Sequence, residues 1–214
     1  MTDEKRLLRA QMRRLLAGFP PAELERQSRE LCAALGLWLQ TAASGRQPMA
    51  AGTPLRLAAY WALPGEASLA PLLEQAAGWD WLEVWLPRVA GPGQALLWAP
   101  LTDDCGRGLA EPPPGWERSR YGIVEAPAEL CQVQVPFDFM ILPCLAVART
   151  GVRLGRGAGH YDRSLSFLQC MGIRPCRIAA ALDVQILPRL PAAAHDEAVD
   201  AIASTAGILP AAGR

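Results

Sequence analysis

Apolar residues near the start of the chain recur at the spacing of one helix face. Leu8, Met12 and Leu15 follow one another after three or four residues, while Lys5 and Arg9 lie one turn apart on another face. This pattern predicts an amphipathic helix with a basic stripe. A pair of prolines follows, and leucines at helical spacing then predict a second helix that begins beside the second proline.

Beyond a loop rich in glycine, serine and proline at 42–54, short apolar runs alternate with helical patterns. Strands are predicted over 55–61, 81–86, 95–98, 137–148, 177–182 and 199–204, and helices over 69–77 and 162–171. The proline-rich segment 102–122 predicts an excursion over the surface. This alternation is typical of an α/β fold with a mainly parallel central sheet and helices on both faces. The chain shows no internal repeat and no domain boundary, so we expect a single domain over residues 1–214.

The segment 151–165 combines four glycines with Arg153 and Arg156 directly after the longest apolar run. Glycine lets the backbone approach a ligand closely, so that consecutive N–H groups can converge on phosphate oxygens. The two arginines add positive charge, and the helix predicted from Asp162 adds its N-terminus. The segment therefore predicts an ATP phosphate site at the carboxyl end of a strand, where ligands of open α/β sheets bind. It matches neither the Walker motif nor the dinucleotide fingerprint.

Charge and cysteine content exclude several classes of protein. The chain has 21 basic and 21 acidic side chains, so neither nucleic acid nor an anionic membrane is expected as a partner. Six cysteines without a C-x-x-C pair, and only two histidines, favour free buried thiols over a zinc site. The charged start lacks the apolar stretch of a secretory signal, and the run 139–148 is too short to span a bilayer. We expect a soluble cytoplasmic protein, with a monomer as the simplest state.

Seven short segments follow one another along most of the chain. They are Lys5-Arg-Leu-Leu-Arg9, Tyr60-Trp-Ala-Leu-Pro-Gly-Glu66, Leu86-Pro-Arg-Val89, Tyr121-Gly-Ile-Val-Glu125, the apolar run to Pro143, the loop from Gly151 to Arg163, and His195-Asp196. In this order they resemble the 5-formyltetrahydrofolate cyclo-ligases, also called 5,10-methenyltetrahydrofolate synthetases. The loop with its Tyr-Asp-Arg ending is the most specific segment. The resemblance implies a three-layer αβα architecture, NagB/RpiA/CoA-transferase-like.

The resemblance also implies an activity. Members are ligases that use ATP and magnesium to convert 5-formyltetrahydrofolate irreversibly into 5,10-methenyltetrahydrofolate, with release of ADP and phosphate. ATP would phosphorylate the formyl oxygen, and the neighbouring amine would close the ring as phosphate leaves. Such phosphoryl transfer needs charge neutralisation and alignment more than covalent help from the protein.

Roles for individual residues follow from the same resemblance. The implied ATP-binding residues are Lys5, Arg9, Gly151, Arg153, Leu154, Gly155, Arg156, Gly157, Gly159, Tyr161 and Asp162. The implied folate-binding residues are Trp61, Glu66, Arg156, Gly157, Ala158, Gly159 and His160. Arg153, Arg156 and Tyr161 are implied as catalytic. Asp162 and Asp196 are implied as magnesium ligands, and their hard oxygens suit a cation that takes one or two carboxylates with phosphate and water.

Each role has a structural alternative that the residues alone leave open. By themselves, Lys5 and Arg9 are typical of a solvated helix face, and Asp162 is as typical of a helix N-cap. Glu66 and Asp196 are typical of turns, Glu66 at the surface, whereas Trp61 is typical of a core. The glycine loop would also serve as a tight strand-to-helix connection, and His160 as a capping or packing residue.

The chain departs from the family pattern in and before the loop. Ala158 stands where a basic residue is usual, His160 where tyrosine is common, and Val147-Ala148 where Phe-Asp is usual. Arg149 would compensate for the missing cation if it approached from the strand end. These departures favour a second hypothesis, a non-catalytic folate or nucleotide binder. A third, an enzyme acting on a sugar phosphate or acyl-CoA, rests on fold analogy alone.

Overall fold

The structure is a computed structural model of the chain and describes residues 3–45, 53–102, 112–119, 122–133, 135–193 and 196–212. Two helices open it, α1 (Asp3–Ala17) and α2 (Pro21–Ala43). Pro21 stands in the first turn of α2, where its missing N–H costs no helical hydrogen bond. Both helices agree with the prediction from apolar spacing.

Within the described residues, twelve strands and two more α-helices follow. They are β1 (Leu55–Ala58), α3 (Ala70–Ala76), β2 (Leu82–Val89), β3 (Leu96–Pro100), β4 (Glu117–Arg118), β5 (Val124–Glu125), β6 (Phe139–Pro143), β7 (Ala146–Ala148), β8 (Arg153–Leu154), α4 (His160–Cys170), β9 (Cys176–Ala180), β10 (Ile186–Leu187), β11 (Ala201–Ser204) and β12 (Gly207–Pro210). The central sheet has seven strands in the order β12-β11-β9-β6-β1-β2-β3. Its inner strands are parallel, whereas β12 and β3 pair antiparallel at the edges.

Buried side chains alternate between the two faces of this sheet. In β6, Phe139 and Ile141 pack on the face covered by α1, α2 and α3, while Met140 and Leu142 pack on the face covered by α4. A strand buried on both faces has to be apolar at every position, which explains the continuous run. The predicted α/β class, with a mainly parallel sheet between two helical layers, is confirmed.

The run 137–148 does not form one strand, so that prediction is wrong. β6 ends at Pro143, which has no N–H to donate to a further sheet neighbour. The chain then turns into β7, which joins β8 and β10 in a separate three-stranded sheet. The glycine loop therefore begins with the β7–β8 hairpin instead of following the central strand directly.

Two other strand predictions also differ from the structure. The strand over 199–204 is not the last, because β12 returns antiparallel to β11 and closes the edge of the sheet. The strand over 55–61 stops at Ala58, which leaves Tyr60 and Trp61 beyond the sheet edge. About half of the predicted excursion 102–122 lies outside the described residues, and its described part includes β4, which pairs with β5.

None of the described helices combines the length and the apolarity that a membrane-spanning helix needs. Five cysteines are described, and all are free thiols. Cys32 and Cys144 are buried, but Cys170 is exposed, so the expectation of buried thiols is only partly correct. Cys105 lies outside the described residues.

Candidate active site

A cavity of about 560 Å³ opens at the carboxyl edge of the central sheet. Its wall includes Pro143 at the end of β6, Trp61 after β1 and Val89 at the end of β2. Helix α1, the loop from Gly155 to Gly159 and the start of α4 complete the wall. Open α/β sheets bind ligands at this edge.

The loop between β8 and α4 presents backbone to the cavity. Gly159 caps α4 at a φ of 68°, and Gly157 has a φ of 111°, a region that favours glycine. Position 157 lies against α1, because a Cβ there would stand 3.5 Å from Arg9 Nε. The N-terminus of α4 with its free N–H groups therefore borders the cavity and favours an anion. Asp162 is the third residue of α4, so the alternative reading of it as the N-cap is wrong.

The basic stripe of α1 faces this loop. Lys5 is buried and forms an ion pair with Asp196, and both residues line the cavity. Arg9 Nε donates a hydrogen bond to the Gly155 carbonyl at 2.9 Å. A solvated helix face is therefore the wrong interpretation of Lys5. Asp196 also stands in a turn, where its carboxylate accepts the Ala193 N–H at 2.6 Å.

Arg156 connects the loop to the segment after β1. Its Nε donates to Glu66 Oε1 at 2.7 Å, and its terminal nitrogen donates to the Pro64 carbonyl at 3.0 Å. The other oxygen of Glu66 accepts the Leu63 N–H at 2.9 Å. Glu66 stands in the predicted turn, but it is only 5% exposed, so it is not a surface residue.

Arg153 and Tyr161 form the floor next to β6. Arg153 donates to Asp162 Oδ1 at 3.0 Å and to the Pro143 carbonyl at 3.1 Å. Its guanidinium carbon lies 5.8 Å from the centre of the Tyr161 ring, within the range of a cation–π contact. Burial raises the pKa of the Tyr161 hydroxyl above its ordinary value, so the group stays a neutral donor. Burial likewise raises the pKa of the neighbouring Cys144 thiol to about 12.

The hairpin between β2 and β3 is tied to the start of α4. His160 Nδ1 lies 3.0 Å from the Gln94 carbonyl, to which Arg163 also donates at 3.3 Å. Arg163 donates in addition to the Ala158 carbonyl, across the position that lacks the family's usual cation. His160 thus packs against the hairpin, and it also lines the cavity. Trp61 packs against the core and likewise lines the cavity.

Some of the residues predicted for the site lie elsewhere. Gly151 stands in the β7–β8 turn, where its carbonyl accepts the Val199 N–H, and Leu154 is in the core. Neither lines the cavity. Arg149 is exposed outside the cavity wall, so the expected compensation for Ala158 from this side is wrong. His195 lies outside the described residues.

Other residues of the cavity wall had no predicted role. Glu125, Val89 and Arg163 line the cavity. Each lies in a segment that carries the family resemblance, and this position is the sequence signal that could have identified them. Val147 and Ala148, by contrast, are buried in the small sheet and do not line the cavity.

The donor chemistry of the site suits magnesium only together with phosphate. Within the described ranges no three His, Cys, Asp or Glu side chains cluster as a ready metal cage. Asp162 and Asp196 both line the cavity, and each is paired with a cation of the protein. One or two carboxylates completed by ATP oxygens and water are a usual magnesium shell, so these residues fit the ion.

A sequence model of the 5-formyltetrahydrofolate cyclo-ligase family matches residues 1–205 of the chain. The 5-formyltetrahydrofolate cyclo-ligase of Mycolicibacterium smegmatis is 40% identical over 92 residues, which are 43% of this chain and 40% of that protein. The mitochondrial 5-formyltetrahydrofolate cyclo-ligase of Arabidopsis thaliana is 37% identical over 89 residues, 38% of this chain and 32% of that protein. These alignments cover less than half of either relative.

Two solved structures share the fold. A 5,10-methenyltetrahydrofolate synthetase from Mycoplasma pneumoniae has a TM-score of 0.66 at 16% identity, over 95% of this chain and 99% of that one. A 5,10-methenyltetrahydrofolate synthetase from Aquifex aeolicus has a TM-score of 0.68 at 22% identity, over 97% and 93% of the two chains. Together with the match over residues 1–205, these findings show that the chain belongs to the 5-formyltetrahydrofolate cyclo-ligase family.

Proposed function

We propose that the protein converts 5-formyltetrahydrofolate and ATP into 5,10-methenyltetrahydrofolate, ADP and phosphate, with magnesium bound to the nucleotide. The observation that carries this proposal is the convergence of Lys5, Arg9, Arg153 and Arg156 from three segments on one cavity. Family membership supplies the reaction class. The transferred phosphoryl group needs such a cluster of cations, because its charge spreads over several oxygens.

The nucleotide phosphates would lie between α1 and the loop. Lys5 and Arg9 supply charge from α1, while Gly155, Gly157 and Gly159 leave room for close approach of the backbone. The N-terminus of α4 adds its dipole. Because Lys5 is held by Asp196 and Arg9 by the loop, both cations are oriented before the ligand arrives. Preorganised charge needs little rearrangement when ATP binds.

Arg156 would join the two substrates. It belongs to the phosphate loop but binds Glu66, which we assign together with Trp61 to the folate. The formyl oxygen and the phosphoryl group would meet beside its guanidinium. Trp61 offers an aromatic wall for the pterin ring, and Ala158 and His160 border the same space. Tyr161 can donate a hydrogen bond, and Arg153 keeps it and Asp162 in place.

Asp162 and Asp196 are the carboxylates that would hold magnesium at the phosphates. The bound ion would neutralise charge on the nucleotide during transfer. Before the ion binds, Arg153 and Lys5 orient these carboxylates and limit their repulsion across the cavity. The monomeric state and a cytoplasmic location stay predictions.

A spectrophotometric assay tests the proposal. Purified protein with magnesium ATP and 5-formyltetrahydrofolate should generate the near-ultraviolet absorbance of the methenyl product together with one ADP for each folate. Omission of ATP is the control. Absence of product at high protein concentration, with both ligands bound, would favour the second candidate, a non-catalytic binder. The observation behind that candidate is that Ala158 and His160 do border the cavity.

A further inference from the structure

Glu125 is a buried carboxylate that the proposed roles leave unused. It ends β5 and is only 5% exposed, although it lines the cavity. Val89, Leu96 and Ile123 line the same region of the wall. A carboxylate among apolar groups is costly unless donors satisfy it.

The described residues satisfy Glu125 poorly. Its Oε1 accepts one hydrogen bond, from the Val89 N–H, at a long 3.2 Å. Its Oε2 has no donor within the described part of the chain, and no ion pair there includes Glu125. The nearby Arg88 donates instead to the Ala126 carbonyl. A buried acceptor that borders a cavity and lacks donors is suited to a ligand that supplies them.

We propose that Glu125 recognises the 2-amino-4-oxopyrimidine edge of the folate pterin ring, an inference that rests on the proposed function. This edge carries the ring N3–H and the 2-amino group side by side, two donors that match the two oxygens of a carboxylate. Adenine is the poorer fit. Its corresponding edge offers one amino donor next to N1, an acceptor that repels a carboxylate.

The sheet order locates Glu125 on the folate side of the cavity. Val89, which holds Glu125, ends β2, and β2 is the neighbour of β1. Trp61 and Glu66, the residues assigned to folate, follow β1. Arg153 lies on the opposite side of β1, where it binds Pro143 at the end of β6. The pterin can therefore extend from the phosphate region past Trp61 towards Glu125.

Direct binding measurements on Glu125→Gln and Glu125→Asp test the proposal. Calorimetric titration of each variant with 5-formyltetrahydrofolate should show affinity reduced about 10- to 100-fold, the usual effect of a lost charge-assisted hydrogen bond. Affinity for magnesium ATP should stay at the wild-type value. Glutamine turns one acceptor into a donor that opposes the pterin donors, and aspartate withdraws the carboxylate. The matched control is Glu117→Gln, an exposed residue directly opposite Glu125 in the β4–β5 pair.

A folate analogue without the 2-amino group completes the test. The wild-type protein should bind this analogue about tenfold or more weakly, and Glu125→Gln should discriminate little between the two ligands. Unchanged folate binding by both variants, beside normal wild-type binding, would overturn the inference and leave the proposed function intact. Loss of ATP binding instead would assign Glu125 to adenine. Failure of the wild-type protein to bind 5-formyltetrahydrofolate would overturn the proposed function itself.

Discussion

Ion pairs stand at both edges of the central sheet, but they are built differently. At the amino edge, Arg177 is the second residue of β9 and binds both oxygens of Asp200, just before β11, at 3.0 and 3.1 Å. Arg56 of β1 pairs through its Nε with one oxygen of Glu83 on the adjacent β2, at 3.0 Å. These partners sit on neighbouring strands, and none lines the cavity.

At the carboxyl edge, two of the pairs join distant parts of the chain. Lys5 of α1 meets Asp196, and Arg156 of the loop meets Glu66. All four residues border the cavity. The chemical groups are the same as at the amino edge. The difference is that these pairs border a cavity that a ligand can enter, so that in the proposed function their cations would exchange part of their contact with a carboxylate for contact with a phosphate.

The largest effect is expected from Arg156→Ala. Catalytic efficiency should fall about 100- to 1000-fold, because the variant lacks a donor placed where charge develops. The melting temperature should fall only moderately and the domain should stay folded, because the buried Glu66 carboxylate keeps the Leu63 N–H as a donor. Steady-state assays and thermal denaturation check both results. Arg29→Ala on the exposed face of α2 is the control. A strongly destabilised protein with normal activity per folded molecule would show that the Arg156–Glu66 pair is only structural.

Arg177→Met should have the opposite effect to Arg156→Ala, with lower stability and unchanged activity. Breaking the buried network at the amino edge should lower the free energy of unfolding by about 2–3 kcal/mol, below the full cost of a buried pair because the carboxylates are partly exposed. Catalytic efficiency at a permissive temperature should stay unchanged. Denaturant unfolding and the turnover assay measure the two quantities. A loss of activity without a loss of stability would contradict the purely structural role of the ion pairs at the amino edge.

Asp162→Asn should raise the magnesium concentration needed for half-maximal activity about tenfold, since one proposed ligand loses its charge. Asparagine keeps an oxygen that can accept from Arg153, so folding should persist. Affinity for folate alone should not change. Magnesium titrations of activity, with the exposed Asp183→Asn as the control, check this. An unchanged magnesium requirement would remove Asp162 from the proposed metal site.

Ala158→Lys should increase catalytic efficiency for magnesium ATP about tenfold. The position is exposed at the cavity wall, so a lysine there adds a cation without disturbing the core. Titration with ATP at saturating folate measures the gain. If the variant only matches the wild type, Arg163, which already reaches the Ala158 carbonyl, is the better candidate for the missing charge.

The smallest effect is expected for the Glu23–Arg26 ion pair on the surface of α2. Hydrogen bonds from Arg26, and then from Gln27, lower the pKa of Glu23 from 4.5 to about 2. A lowered folded-state pKa stabilises the protein above pH 4.5, and this contribution is lost as the pH falls towards 2. Glu23→Gln should therefore melt slightly below the wild type at neutral pH, and the difference should vanish near pH 2. A difference that grows on acidification would contradict this assignment.

Local pattern was enough to predict most of the secondary structure and the fold class. The leucine spacing of the first two helices and the unbroken apolar run of β6 follow directly from which faces are buried. The apolar pattern failed to predict a strand boundary where apolar residues continue but the chain passes from one sheet into another. The stretch 137–148 is apolar in both of its strands, and only Pro143 marks the point at which the chain leaves the central sheet.

The sequence by itself determined the family, the α/β class and the set of charged and glycine residues around the loop, because these depend on residue types and short-range spacing. Only the tertiary structure decided which of them meet. It joined Lys5 to Asp196 and Arg156 to Glu66, left Gly151 and Leu154 outside the cavity, and added Glu125 to its wall. Such pairings depend on how helices and strands far apart in the chain pack on one sheet, and no local pattern encodes that packing.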